Sequence, residues 1–384
     1  MVRLAHNGYV EDGSAPTEPA DTEVSTRSTR PISSGARVGA VREPGAGTGA
    51  RRPPTIDEVA RHAGVGRGTA SRVVNGSPHV SAAARTAVED AVEALGYVPN
   101  RAARSLVTRR TDVIALVVSE PGHRVFGEPY FGAIVRGVGQ RLNESPFQLM
   151  ITMVGAERDR MRVASYLTEH HVDGVLLLSL HAGDGLVATL DGRGLPTVCG
   201  GAVVGTDPAV LVDADNRAGG AAAVGHLLSL GRRRVALLTG PQDMSSGRDR
   251  LTGALEAVRA AGLDSEPLVV AFGDYSEDSG VHAMREVLAA GHLPDAVFAA
   301  SDLMAVGALR VLREAGLRVP DDVALVGFDD SSVCRLTDPA LTSVHQPVEE
   351  MGRVMADLLI ARISGEAVAA QTVLPTRLVV RGSA

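Results

Sequence analysis

An arginine at the head of a short helix can aim its guanidinium fork at the O6 and N7 edge of guanine. Arg67 stands in that place, directly after the turn Gly64-Val65-Gly66. Ahead of the turn, Thr55-Ile56-Asp57-Glu58 has the form of a capping box, in which a hydroxyl and a carboxylate satisfy each other's end N–H groups. The helix it opens should run to about His62-Ala63 and stop at Gly64. Behind the turn a second helix fits Arg67 to Val74 and ends at Asn75-Gly76, with Arg67, Gly68 and Arg72 outward and Ala70 and Val73-Val74 inward. Two short helices so joined can lay the second in a major groove. A third starts at Ser81, carries Val88, Ala91, Val92 and Leu95 at helical spacing and ends at Gly96. From Arg51 to Arg110, ten arginines stand against five acids, a net +5 within a chain of net −7. That local excess is the footprint of phosphate contact, whereas the whole chain is too acidic to coat nucleic acid along its length.

A second set of polar residues follows apolar runs: Ser119, Ser179, Thr239-Gly240, Asp274-Tyr275, Ser301-Asp302 and Asp329-Asp330. Each alone reads as a helix N-cap. Their recurrence at one end of successive strands points to a ligand cleft, because open parallel sheets bind ligands outside the carboxyl ends of their strands.

The elements that must position these groups follow from the apolar pattern. Runs at Val113–Val118, Leu149–Val154, Val175–Leu178, Val235–Leu238, Leu268–Ala271, Ala296–Ala299 and Val323–Val326 are continuous rather than alternating, as expected of parallel strands buried on both faces. Helical segments such as Ala218–Leu230, Arg250–Ala261, Ser279–Ala290 and Leu303–Ala315 separate them. This rhythm predicts an α/β domain of doubly wound parallel sheets in two lobes, joined to an α-helical helix-turn-helix. Residues 1–53, rich in Gly, Pro, Ser, Thr and Ala without apolar period, read as a disordered tail. The helix-turn-helix is placed at 54–99 and a hinge and linker at 100–111. Residues 112–384 form the sensing and dimerisation domain, with lobe 1 at about 112–212 and 346–373 and lobe 2 at about 213–345 and 374–384. Cys199 and Cys334 are far apart and lack a CxxC or His-rich setting, so neither a metal site nor a disulfide framework is expected. A basic-then-apolar leader and a membrane-length apolar run are both missing, which predicts a cytoplasmic protein.

The stretches Thr55-Ile56-Asp57-Glu58-Val59-Ala60, Thr69-Ala70-Ser71-Arg72-Val73-Val74-Asn75-Gly76, Leu95-Gly96-Tyr97 and Pro99-Asn100-Arg101-Ala102-Ala103-Arg104-Ser105-Leu106 resemble the N-terminal signature of the lactose-repressor family. The resemblance continues to the end of the chain. It implies that Arg67, Gly68 and Arg72 face bases and that Thr69, Ser71, Asn75 and His79 lie near phosphates. Arg101–Leu106 would be a hinge helix, with Leu106 wedged into the minor groove and Ala103 lining that contact. Thr55, Asn100 and Arg101 complete the candidate DNA-contacting set. Gly66 stands where the family usually has Ser, and Gly68 offers no side chain at a base-reading position, which leaves Arg67 with most of the discrimination.

The same resemblance implies an effector site. In Ser245-Ser246-Gly247-Arg248-Asp249-Arg250 the ligand-gripping arginine would be Arg248; Tyr275 would stack on a sugar's C–H face, and Asp329 would accept hydroxyl hydrogens. Ser301 stands where the family often has Asn, and Tyr130 and Phe131 would form a wall from lobe 1. Arginine, carboxylate and one aromatic suit a neutral polyol. A sugar is therefore the expected effector, with a nucleobase or phosphorylated ligand as alternatives. No cofactor or metal is expected. The resemblance implies a homodimer on a near-palindromic operator, most simply a repressor released by its effector, although an activator would share every motif. A dehydrogenase would need G-x-G-x-x-G after the first strand, where the chain reads Ser119-Glu120-Pro121-Gly122, and a hydrolase would need a G-x-S-x-G elbow. A secreted sugar-binding protein would lack the helix-turn-helix.

Overall fold

The computed structural model describes residues 2–4, 52–98, 110–155, 157–205, 208, 210–263, 268–291 and 293–384. They fall into two compact units.

The small unit holds α1 (Ile56–His62), α2 (Arg67–Val74) and α3 (Ala82–Leu95). Glu58 N–H donates to Thr55 Oγ1 at 3.3 Å and Thr55 N–H to Glu58 Oε2 at 2.7 Å, so the capping box is closed in both directions. Gly96 ends α3 at φ +61°, a conformation that costs a residue with a Cβ more than glycine. Val59, Ala60, Ala70, Val73, Val88 and Ala91 are buried together. These small side chains bring three short helices close and fix which face of α2 is left to solvent.

The strands of the large unit are β1 (Val2–Leu4), β2 (Val113–Val118), β3 (Gln148–Met153), β4 (Gly174–Leu178), β5 (Thr197–Gly200), β6 (Leu211–Ala214), β7 (Val235–Thr239), β8 (Leu268–Phe272), β9 (Ala296–Ala299), β10 (Ala324–Asp329), β11 (Thr342–His345), β12 (Gln371–Leu374) and β13 (Arg377–Val379). The helices are α4 (Gly122–Gly127), α5 (Pro129–Leu142), α6 (Glu157–Tyr166), α7 (Leu186–Gly192), α8 (Asn216–Ser229), α9 (Ser245–Ala260), α10 (Glu277–Ala289), α11 (Asp302–Glu314) and α12 (Val348–Ile363). Lobe 1 is built on a parallel sheet ordered β12-β6-β5-β4-β2-β3. Lobe 2 is built on a sheet ordered β1-β8-β7-β9-β10-β11-β13, in which β13 runs antiparallel to β11. From residue 110 onward the chain passes between lobes after β6, after β11 and after β12, each time at the carboxyl end of a strand. The cleft therefore forms where strand ends of both sheets meet.

Strands β4, β5, β7 and β9 are buried at every residue, because helices cover both faces of each sheet. Where helices touch, glycine sets the spacing. A Cβ on Gly253 of α9 would lie 1.9 Å from the carbonyl oxygen of Arg217 on α8.

The expectation of a featureless tail is corrected at Val2–Leu4, which pair in parallel with Leu268–Val270 and extend the lobe 2 sheet by an edge strand. The rest of that tail up to residue 51 lies outside the described residues, as do Asn100, Arg101, Ala103 and Leu106 of the expected hinge.

Candidate functional site

On the small unit, Arg67, Gly68, Arg72, Asn75 and His79 are exposed, and Thr55, Thr69 and Ser71 are half-buried. Arg67 Nε sits 3.5 Å from Asp57 Oδ1, with both side chains more than half exposed, an ion pair too solvated to hold the guanidinium from another partner. Arg72 is steadied by its own helix, donating from Nε to the Gly68 carbonyl at 3.2 Å and from Nη2 to Thr69 Oγ1 at 3.4 Å. Asn75 Nδ2 donates to Ser71 Oγ at 3.3 Å. A Cβ at Gly68 would meet nothing within 4 Å. Packing does not require that glycine, which leaves the middle of the exposed face of α2 open.

In the large unit the lobes enclose a cleft of about 880 Å³ including its opening. Lobe 1 contributes Arg124, Glu128, Tyr130, Phe131, Ser179 and Asp213, and lobe 2 contributes Asn216, Arg250, Tyr275, Ser301, Asp302 and Asp329. At its centre is Arg250, only 5% exposed. Its Nε donates to Asn216 Oδ1 at 2.9 Å and its Nη1 to the Ala300 carbonyl at 2.6 Å. Nη1 also lies 3.6 Å from Asp329 Oδ1. The guanidinium carbon is 3.7 Å from the centroid of Phe328 and 5.4 Å from that of Tyr275, so aromatic faces compensate part of its desolvation. Asp329 Oδ1 accepts from Gln346 Nε2 at 2.6 Å. Among the described residues nothing donates to Asp329 Oδ2, and Arg250 Nη2 finds no acceptor. One acceptor atom and one charged donor atom of this pair are thus left for a ligand.

Burial pushes the carboxyl of Asp329 well above the ordinary carboxylate range, against the pull of Arg250. Burial also lifts Asp213 to about 6, although its oxygens accept from the Ala202 and Ala214 N–H groups. The Tyr130 hydroxyl is raised by burial, so it stays a neutral donor.

Backbone geometry aims several of these groups. Ser179, Tyr275 and Asp329 all have positive φ, at 57°, 77° and 113°. For residues with a Cβ this costs of order 1–3 kcal/mol each and persists only where the surroundings enforce it. Tyr275 shows how. Its carbonyl accepts from Ser301 Oγ at 2.8 Å and its hydroxyl pairs with Ser246 Oγ at 2.9 Å. The hydroxyl end of its ring packs against Gly240, where a Cβ would come within 2.2 Å of Cε1.

Six of the eight effector candidates read from the sequence, Tyr130, Phe131, Ser179, Tyr275, Ser301 and Asp329, therefore line one cleft. Two do not. Ser119 is buried behind the wall, donating to Asp184 Oδ2 at 2.9 Å. Arg248 is corrected to Arg250: Arg248 lies on the outer face of α9 and donates from Nε to the Gln242 carbonyl at 2.6 Å. The helical period carried the signal, since the buried face of α9 runs through Gly247, Arg250, Ala254 and Val258, and 248 is off that phase. Asp213, Asn216 and Gln346 were missed because they lie in or follow the short strands Leu211–Ala214 and Thr342–His345, whose polar residues break the apolar run.

Residues 55–100 match the family model described as bacterial regulatory proteins, lacI family, and residues 224–384 match that of a periplasmic binding protein-like domain. The HTH-type transcriptional regulator CelR of Thermobifida fusca is 53% identical over 336 residues, spanning 87% of this chain and 99% of the relative. The ribose operon repressor of Escherichia coli K12 is 33% identical over 333 residues, 86% of this chain and 99% of the relative. Among solved structures, a CelR–cellobiose complex superposes with a TM-score of 0.69 at 50% identity, covering 86% of this chain and 100% of that one. The lac repressor dimer bound to operator and the anti-inducer ONPF gives 0.76 at 29% identity, covering 86% and 99%. These relatives are transcription regulators, not enzymes. Helix-turn-helix, two-lobed α/β domain and full-length likeness agree: the chain belongs to the lacI family of bacterial regulatory proteins and is a DNA-binding regulator of transcription.

Proposed function

We propose that the protein represses transcription as a cytoplasmic homodimer on a near-palindromic operator, and that a sugar of the cellobiose type, held between the lobes, releases it. The observation that carries the sugar is the Arg250–Asp329 pair at the cleft's centre, with one donor atom and one acceptor atom left open, and the Tyr275 ring and Tyr130 at the same cavity. A donor fork beside an acceptor can satisfy two neighbouring hydroxyls, and an aromatic face takes the apolar side of a pyranose ring. A phosphorylated ligand fits less well, since Arg250 already donates to two protein acceptors and four carboxylates (Glu128, Asp213, Asp302 and Asp329) share the lining. Cellobiose is the first probe because the CelR structure with half of its residues in common is a complex with that sugar. On the DNA side the open face of α2 puts Arg67 forward as the main base reader, with Gly68 and Arg72 also toward bases, Thr69, Ser71, Asn75 and His79 toward phosphates and Leu106 as the minor-groove wedge.

The test is fluorescence-anisotropy binding to the DNA upstream of the protein's own gene at fixed salt, with cellobiose, glucose and ribose in turn. Specific binding weakened at least tenfold by cellobiose is expected. Tight binding indifferent to all three sugars would refute the effector class. Binding strengthened by a sugar would make it a co-repressor.

A further inference from the structure

Beside the cleft, two side chains of lobe 1 reach lobe 2, and one buried carboxylate holds both. Arg124 on α4 donates from Nη2 to the carbonyl oxygen of Asp274 at 2.5 Å. His181, in the loop after β4, has Nδ1 2.8 Å from Oδ2 of Asp243, in the loop after β7. The next residue, Ala182, donates its N–H to the Asp243 carbonyl at 2.8 Å. Glu120 lies behind these links, 4% exposed. Its Oε2 accepts from Arg124 Nη1 at 3.1 Å, and its Oε1 accepts from Ser179 Oγ at 2.8 Å and sits 3.4 Å from His181 Nε2. Ser245 makes a further link to the Ala202 carbonyl, at 2.6 Å, without Glu120.

We propose that Glu120 is the positioning residue of a clasp between the lobes, the single carboxylate that orients Arg124 and His181 so that both engage lobe 2 only when the cleft is closed. This rests on the reading that the cleft takes the effector, and it deepens that reading: the clasp sets how long a bound effector is retained. Burying a carboxylate is costly unless its oxygens are satisfied by charged or strong donors, and both principal partners of Glu120 have their remaining donors turned across the cleft. Glu128 takes Arg124 Nε at 2.8 Å and with Glu120 fixes the guanidinium plane, which leaves Nη2 for Asp274. Glu120 at Nε2 of His181 leaves Nδ1 for Asp243. The imidazole lies between carboxylates of the two lobes, and the Glu120 bond, with Asp243 adding to it, holds its pKa above the ordinary value despite burial. Asp184, the next acid along the chain, is turned to Ser119 and Arg160 instead. Glu120 itself is not among the residues lining the cleft, so it acts on a ligand only through the residues it holds.

The test is made on the full chain carrying Ala188→Cys on lobe 1 and Ala289→Cys on lobe 2. Both sites are exposed, and the native Cys199 and Cys334 are buried. Spin labels at the two sites report the interlobe distance, and stopped-flow dilution reports cellobiose dissociation. Glu120→Gln keeps the shape and removes the charge. It should broaden the distance distribution toward open lobes, with or without sugar, and speed dissociation about tenfold while association changes little. If Glu120→Gln does not fold, Asp243→Ala removes the His181 arm from the exposed side and should give the same two changes. A folded Glu120→Gln protein with the wild-type distance distribution overturns the clasp. Should the wild-type protein bind no cellobiose, the effector reading fails, and the distance measurement without sugar still decides the clasp.

Discussion

Arg250 concentrates the chemistry of the cleft in one side chain. Two of its donors are committed to protein acceptors, and it stands beside Asp329 between two aromatic faces. Arg250→Lys keeps the charge and loses the fork, and lysine is no substitute at such a site. Isothermal titration should show effector affinity reduced at least a hundredfold in this variant, with Asn216 and Asp329 left without their partner; affinity within threefold of wild type would remove Arg250 from the ligand. Asp213 makes a second prediction, on pH. Its folded-state pKa is about 6, raised by burial from the ordinary value near 3.8. Between those values the folded protein holds a proton that the unfolded chain has released, so this group's contribution to stability falls as pH rises from about 4 to about 6. Asp213→Asn should flatten the dependence of the thermal midpoint on pH over that window, and parallel curves for the two proteins would contradict the assignment.

At the scale of elements, the cleft depends on how closely α8 and α9 approach, because Arg250 reaches Asn216 across that contact. Gly220 and Gly253 make the approach possible: a Cβ would sit 2.2 Å from the Arg250 carbonyl at the first and 1.9 Å from the Arg217 carbonyl at the second. Backbone atoms cannot step aside as a flexible side chain can. Gly253→Ala should therefore destabilise the protein by about 3 kcal/mol in urea unfolding and weaken effector binding by parting Arg250 from Asn216; an unchanged midpoint would show that the two helices can slide apart freely. Element boundaries were legible where chemistry marks them. Thr55 and Glu58 announced the start of α1, Gly96 the end of α3, and unbroken apolar runs the strands buried on both faces. The short strands β5, β6, β11 and β12 mix polar residues into their few positions and so could not be told from loops, and the pairing of Val2–Leu4 with β8 rests on backbone hydrogen bonds that any sequence can make.

At the scale of the whole molecule, operator and effector are coupled through one chain, and coupling of equilibrium affinities is reciprocal. Whatever factor saturating effector removes from the operator affinity of the dimer, saturating operator must remove from the product of its two effector affinities. Measured at one salt concentration, by anisotropy and by titration calorimetry, the fall in operator affinity should equal the square of the fall in affinity per effector site. A fall in operator affinity equal to the fall per effector site would mean that only one of the two effector sites is coupled to the operator, and no change in either affinity would mean that the two ligands do not act on a shared pair of states.

The sequence by itself determined the fold class, the two kinds of domain and the exposed face of α2, because each depends on local signals: caps, helical period, and the continuity of apolar runs. It also placed most of the cleft, since residues at strand carboxyl ends must gather where parallel sheets meet. Tertiary structure decided the rest. Whether Arg248 or Arg250 enters the cleft depends on the rotation of α9 against α8, which Gly253 and Gly220 fix by contact. The role of Glu120, lost in the sequence among the residues after β2, emerges only when α4 and the loops after β4 and β7 are brought together, from positions more than a hundred residues apart.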